Sequence, residues 1–138
     1  MKSLASAAHG RSIEDRQLVE YARQLLQARK KFAALSPKGL FRDSAWDMML
    51  ELFISGEEGG ILYVKQMMIA SGESPAAAMR RIDRLDDAEF IRRTPDALDQ
   101  RRVIVRLTER GRSAMLAMLK HVYDPPPAAT PIAFNPRR

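Results

Sequence analysis

Between Ser71 and Gly111 the apolar residues change their spacing once, from a helical period to the alternation of a strand. That change predicts a helix followed by a two-stranded hairpin. Ser74 suits the cap of the helix, Pro75 its first turn, and Ala76 to Ala78 propagate it. Ala78, Ile82 and Leu85 share one face, which is expected to pack inward. Arg80, Asp83, Arg84 and Asp87 fall on the opposite face, with Ala76 and Ala77 near its start. After Glu89, Phe90 to Arg93 is expected to form one strand and Val103 to Leu107 a second, with Thr94 to Arg102 as the loop. Pro95, Asp96 and Asp99 favour turns in that loop, and Arg101 and Arg102 stand where the second strand begins.

This pattern has a chemical reading. Small residues let the start of a helix approach base edges in a major groove, while arginines behind them reach guanine or phosphate. A solvated charged face would account for the helix equally well, but an exposed hairpin tip with adjacent arginines is a poor core element. It suits a narrow minor groove, whose focused negative potential attracts inserted arginine. From Ser74 to Arg112 there are ten arginines, no lysine and seven acidic residues, so the positive charge consists wholly of side chains able to fork onto phosphate or guanine. Double-stranded DNA is the expected partner.

With these residues in place the chain resembles the MarR type (multiple antibiotic resistance regulator) of winged helix-turn-helix regulators. The wing pattern of that family, Asp-x-Arg, five residues, Leu-Thr, two residues, Gly, is matched by Asp99, Arg101, Leu107, Thr108 and Gly111. The run Ser74 to Leu85 is similar to the family's recognition helix. The resemblance covers about Leu40 to Leu119 and implies a recognition helix in the major groove, a wing arginine at Arg101 in the minor groove and a bracing aspartate at Asp99. The candidate DNA-binding residues are therefore Ser74, Pro75, Ala76, Ala77, Arg80, Arg81 and Arg84 on the helix, and Arg92, Arg93, Asp99, Arg101 and Arg102 on the wing. Three positions depart from the pattern: Arg81 replaces a core leucine, Ala76 and Ala77 replace hydroxyl residues, and Glu89 replaces a helix-ending glycine. Arg81 lies at the edge of the buried face, where its stem can snorkel.

The rest of the chain is read around this unit. A length of 138 residues with 46% hydrophobic content suits one domain, expected over residues 12–123, after a loose segment at 1–11 and before a proline-rich tail at 124–138. Ser12 to about Leu35 is helical in pattern, with Leu18, Ala22, Leu25 and Phe32 on one side and Val19, Leu26 and Ala33 widening it. So broad a stripe predicts packing on the domain, on a second copy, or both; the resemblance implies a homodimer, which would present two reader helices about one DNA turn apart. Arg29, Lys30 and Lys31 form a second basic cluster, read as a solvated helix face or a flanking phosphate contact. A second helix runs from Asp43 or Ser44 to Ile54, and its stripe of Trp46, Met49 and Phe53 is read as packing. The resemblance leaves room for a small aromatic effector near the dimer seam. Ser55 to Gly60 is expected to turn, Ile61 to Tyr63 to pair with the wing base, and Val64 to Ala70 to form the supporting helix before a left-handed Gly72. Thr108 caps a last helix from Glu109 to about Tyr123, with Met115, Leu116, Met118, Leu119 and Val122 on its apolar side.

Other classes find little support. The net charge of +6 favours a polyanionic partner, and the absence of cysteine removes disulfides and thiolate metal sites. No apolar run is long enough for a membrane span and no signal-peptide pattern opens the chain, so a cytoplasmic, nucleoid-associated protein is expected. His9 and His121 stand far apart, and no nucleotide or zinc motif is present, so neither an enzyme, a cofactor nor a metal is expected. The overall expectation is a mainly α (α+β) winged helix-turn-helix with a two-stranded wing hairpin and a long N-terminal helix. Its function would be sequence-specific transcriptional regulation, as a repressor. The alternative is a winged-helix protein-protein interaction adaptor whose basic surface meets acidic partners.

Overall fold

The long apolar stripe at the N-terminal end and the period change near residue 90 set the layout. The computed structural model describes residues 13–35, 37 and 43–123. Among these residues it has five helices and one three-stranded antiparallel sheet. In chain order they are α1 (Ile13–Leu35), α2 (Ser44–Glu57), β1 (Leu62–Tyr63), α3 (Val64–Ser71), α4 (Pro75–Asp87), β2 (Ile91–Pro95), β3 (Val103–Leu107) and α5 (Glu109–Tyr123). The fold is mainly α with a hairpin wing, as expected. The segments read from sequence as loose N-terminus and proline-rich tail lie outside the described residues.

The hydrophobic α2 sits at the centre. Met48, Leu50, Leu52 and Phe53 are buried against Leu18, Ala22 and Leu26 of α1, Ile82 of α4, Ile91 and Val105 of the sheet, and Met115 and Leu119 of α5. The inward face of α4 is the one its spacing predicts: Ala78 and Ile82 are fully buried and Leu85 half-buried. The apolar side of α1 divides. Its first half is core, but Phe32 is 54% exposed and Leu35 more so. Of the basic cluster on α1, Arg29 donates from Nε to Asp47 Oδ1 at 2.8 Å and Lys30 pairs with Glu51 at 2.9 Å, so two of its three cations tie α1 to α2.

Several boundaries differ from the sequence reading. The α2 helix continues through Glu57, shortening the expected turn, and buried Glu57 accepts a two-pronged ion pair from Arg112 at 2.7 and 3.1 Å. Neither Asp43 nor Ser44 caps α2 through its side chain; Ser44 Oγ instead donates to Glu73 Oε1 at 2.9 Å. The first wing strand begins at Ile91 and extends to Pro95, because Thr94 and Pro95 stay in register with Ile104 and Val103. Pro95 is tolerated there since β2 is an edge strand in the order β1-β3-β2. The loop is accordingly Asp96 to Arg102.

Two turns depend on backbone conformation. Gly72 adopts φ 72° between α3 and α4, the left-handed turn expected there. Glu89 adopts φ 65°, where a glycine would meet no resistance. Its surroundings hold it: the Phe90 N–H donates to Leu85 O and the Glu89 N–H to Asp86 O, the two bonds of a Schellman helix end. Gly111 has a different reason. A side-chain carbon added there would lie 2.1 Å from the Phe90 carbonyl oxygen, a backbone atom that cannot step aside.

Glu89→Gly is therefore expected to stabilise the fold by about 0.5–1 kcal/mol, and Gly111→Ala to destabilise it by about 2–3 kcal/mol. Urea midpoints at unchanged m-value measure both, and an unchanged midpoint for Glu89→Gly would contradict the account of the strained turn.

Candidate nucleic-acid interface

The reader helix α4 starts as its sequence dictates. Ser74 accepts the Ala77 N–H at 3.2 Å through Oγ, so its side chain serves the cap, and Pro75 opens the first turn. Ser74, Pro75 and Ala76 are exposed and Ala77 half-buried, leaving an outward surface of small residues. Arg80 and Arg84 follow on the same outward side, both exposed and without an ion pair among the described residues. Arg81 is engaged elsewhere. It forks onto Glu73 at 3.2 and 3.3 Å, and Glu73 also receives Ser44, so Arg81 ties the turn before α4 to the start of α2.

The wing divides its arginines in the same way. Arg93 reaches from β2 back to α4, contacting Asp83 at 2.9 Å and Asp86 at 2.8 Å. Burial alone would lower its pKa, but the hydrogen bonds from Asp86 and Asp83 outweigh it and the value is raised. Arg93 thus fixes the angle between reader helix and wing. Arg92 points to the other side of β2 and is exposed. Arg101 forks onto Asp99 at 3.0 and 3.3 Å, and Asp99 Oδ1 also accepts the Arg101 N–H at 3.1 Å. These bonds to Arg101 hold the Asp99 carboxyl below the usual carboxylate range. The Arg101 side chain is nevertheless 90% exposed, aimed outward from a braced base.

The sequence reading missed the residue beneath the wing tip. Tyr63, at the junction of β1 and α3, donates its hydroxyl to Asp96 Oδ2 at 3.1 Å. Its ring lies under Arg102, whose guanidinium carbon is 3.9 Å from the ring centroid. Tyr63 also pairs with Ile104 across the sheet, and its N–H donates to Gln66 Oε1 at 2.9 Å. Glu73 was missed as well. Neither carries a signal in the sequence, since each acts on partners distant along the chain.

The remaining residues of the wing pattern have structural work. Thr108 Oγ1 donates to Glu89 O at 2.6 Å and accepts the Gly111 N–H at 3.0 Å, while the Thr108 N–H donates to Phe90 O. The Thr-x-x-Gly of the pattern thereby closes reader helix, wing and α5 on one another. Among the described residues there is no group of acidic or histidine side chains able to hold a metal ion, and no helix long and apolar enough to cross a membrane.

The chain has the winged helix-turn-helix fold of the MarR-type regulators. It superposes on S. aureus MepR in its DNA-binding conformation with a TM-score of 0.52 at 17% identity, covering 82% of this chain and 78% of that one. The transcriptional regulator PA4135 gives a TM-score of 0.52 at 20% identity, covering 83% of this chain and 79% of that one. No family model matches the sequence, and no curated protein does. The likeness is thus one of fold, joined to the wing pattern that the sequence itself carries.

A lowered Asp99 pKa sets the sign of a pH effect. Its contribution is complete above the ordinary aspartate value of about 4 and is lost as pH falls through the lowered folded value. Protection of the Arg101 amide, its exchange rate relative to the intrinsic rate at the same pH, should therefore fall only in that acid range. In Asp99→Asn that protection should be low at every pH, and a wild-type protection profile in that variant would exclude the brace.

Proposed function

We propose that the protein is a sequence-specific, double-stranded DNA-binding transcriptional regulator acting as a homodimeric repressor in the cytoplasm, on the nucleoid. The observation that carries this reading is the sorting of arginines. Those facing the core side are consumed by carboxylates, Arg81 by Glu73, Arg93 by Asp83 and Asp86, and Arg112 by Glu57. Those on the outer surface, Arg80, Arg84, Arg92, Arg101 and Arg102, stay exposed, Arg101 even while Asp99 braces it.

In this reading the N-terminal turn of α4 enters the major groove, with Ser74, Pro75, Ala76 and Ala77 permitting close approach. Arg80 and Arg84 reach base edges or phosphate, and Arg101 enters the adjacent minor groove. Arg92 and Arg102 contact backbone. Arg81, Arg93 and Asp99 act through geometry, holding the reader and the wing where the free arginines can work. Two copies would address half-sites about one turn apart, and the exposed Leu35 at the end of α1 supports a second copy as its cover. A small aromatic effector that altered the spacing of the two readers would release DNA by losing register with both half-sites.

Fluorescence anisotropy on duplexes selected from a random pool, across about 50 to 200 mM salt, tests the reading, with sedimentation reporting the dimer. Arg84→Ala should lower affinity and reduce discrimination among duplexes, while Arg101→Ala should weaken preference for narrow minor grooves. Each phosphate contact removed should lower the salt slope by about 0.9. Weak binding that is equal on all duplexes and vanishes with salt would favour the adaptor, whose basic face meets an acidic protein.

A further inference from the structure

The loop of the wing, Asp96 to Arg102, carries an apolar tip. Ala97 and Leu98 are both exposed, and Leu98, at 96%, is the most exposed large apolar side chain among the described residues. A lone exposed leucine is ordinary on a protein surface; what sets this one apart is its mounting. The loop is closed by bonds from the Asp96 N–H to Arg102 O and from the Arg102 N–H to Asp99 O, each 2.9 Å. The Leu98 N–H donates to Asp96 Oδ1 at 2.9 Å, and the other oxygen of that carboxylate accepts the Tyr63 hydroxyl at 3.1 Å. Leu98 is thus tied through Asp96 to the junction of β1 and α3. Both carboxylates of the loop are half-buried and engaged, Asp99 by Arg101, so the long side chains exposed at the tip are Leu98, Gln100, Arg101 and Arg102.

We propose that Leu98 is an apolar wedge: in the complex it presses into the minor groove beside Arg101 and partly unstacks one base step, so that the wing selects duplexes able to kink there. The inference rests on the DNA-binding reading, in which Arg101 enters the minor groove, and adds to it a contact that carries no charge and reads deformability. A closed loop of seven residues that brings Arg101 to the groove brings Leu98 with it, three residues away on the same turn. There the aliphatic side chain leaves water for the edges and faces of bases. Unstacking costs least at pyrimidine-purine steps, TA and CA, so the wedge converts a local softness of the duplex into sequence preference without a hydrogen bond to any base. Arg101 favours a narrow groove whereas an opened step is wide, so the two side chains address neighbouring steps, an A·T tract at Arg101 and a flexible step at Leu98. Rigidity is what makes a wedge, since a mobile loop would turn the leucine aside before the bases parted. Tyr63, acting through Asp96, is the positioning residue that supplies it.

The full chain and its tightest selected duplex test this, with 2-aminopurine replacing adenine at successive positions, since its fluorescence rises when the base is unstacked. Binding should raise the fluorescence at one step on the wing side. Leu98→Ala should abolish that rise and lower affinity about fivefold on duplexes with TA or CA at the step, with a smaller loss where the step is stiff. It should leave the salt slope unchanged, because no charge is removed, and leave the melting temperature of the free protein unchanged, because Leu98 packs on nothing. Leu98→Phe keeps the apolar bulk and should keep the rise. Tyr63→Phe keeps the ring under Arg102 but releases Asp96, and should reduce the rise at an unchanged salt slope; a merely structural role for Tyr63 would shift the melting temperature and leave the rise alone. Should wild type bind selectively with no rise at any position, or should the rise persist in Leu98→Ala, the wedge falls and the DNA reading stands. Should wild type bind no duplex selectively, both fall.

Discussion

The hydroxyl of Thr108 joins three elements that must keep fixed positions relative to one another. It donates to the Glu89 carbonyl just past the reader helix and accepts the Gly111 N–H in the first turn of α5, while the Thr108 N–H meets the Phe90 carbonyl at the start of the wing. These are backbone groups that a helix end or a strand start would otherwise leave unpaired. Once they are shared, the end of α4 cannot move without moving β2 and α5. The rest follows from that closure: Glu89 is forced into a left-handed turn, and Gly111 must be glycine because Phe90 O occupies the space of a side chain.

Around this junction the fold allocates charge by geometry. Carboxylates on α2, α4 and the turn before α4 take up the arginines whose stems run along the core, turning them into struts between elements. Half-buried pairs of this kind contribute modestly to stability, yet they fix angles. Of the arginines on the outer surface, Arg80, Arg84 and Arg92 meet no such partner among the described residues, Arg101 is braced by Asp99 within its own loop and Arg102 lies over the Tyr63 ring. A surface of exposed arginine over a rigid frame suits polyanion recognition, since the frame removes the ordering entropy that binding would otherwise lose.

The likeness to the solved regulators, below 25% in identity, is one of fold. Thr108 and Gly111, two residues of the wing pattern, are constrained by backbone geometry, as is Gly72 outside it.

Local chemistry made much of this legible without coordinates. The inward face of α4, its Ser74 cap, the Gly72 turn, the Asp99 to Arg101 brace and the limits of α5 all depend on neighbours a few residues away, and period, caps and turn residues report such contacts. What the sequence could not disclose was decided by pairing across the chain. The length of β2 depends on register with β3, the extension of α2 on Arg112 meeting Glu57 at a separation of 55 residues, and the roles of Arg81 and Arg93 on where Glu73 and Asp86 come to lie. Tyr63 shows the same limit: its hydroxyl partner is 33 residues away. An arginine in a sequence has one charge and one shape, so composition and period determined that this chain would carry a cationic helix and hairpin. Only the packed structure decided which cations were spent inside the fold and which were left for a partner, because a carboxylate neutralises the guanidinium it can reach in space.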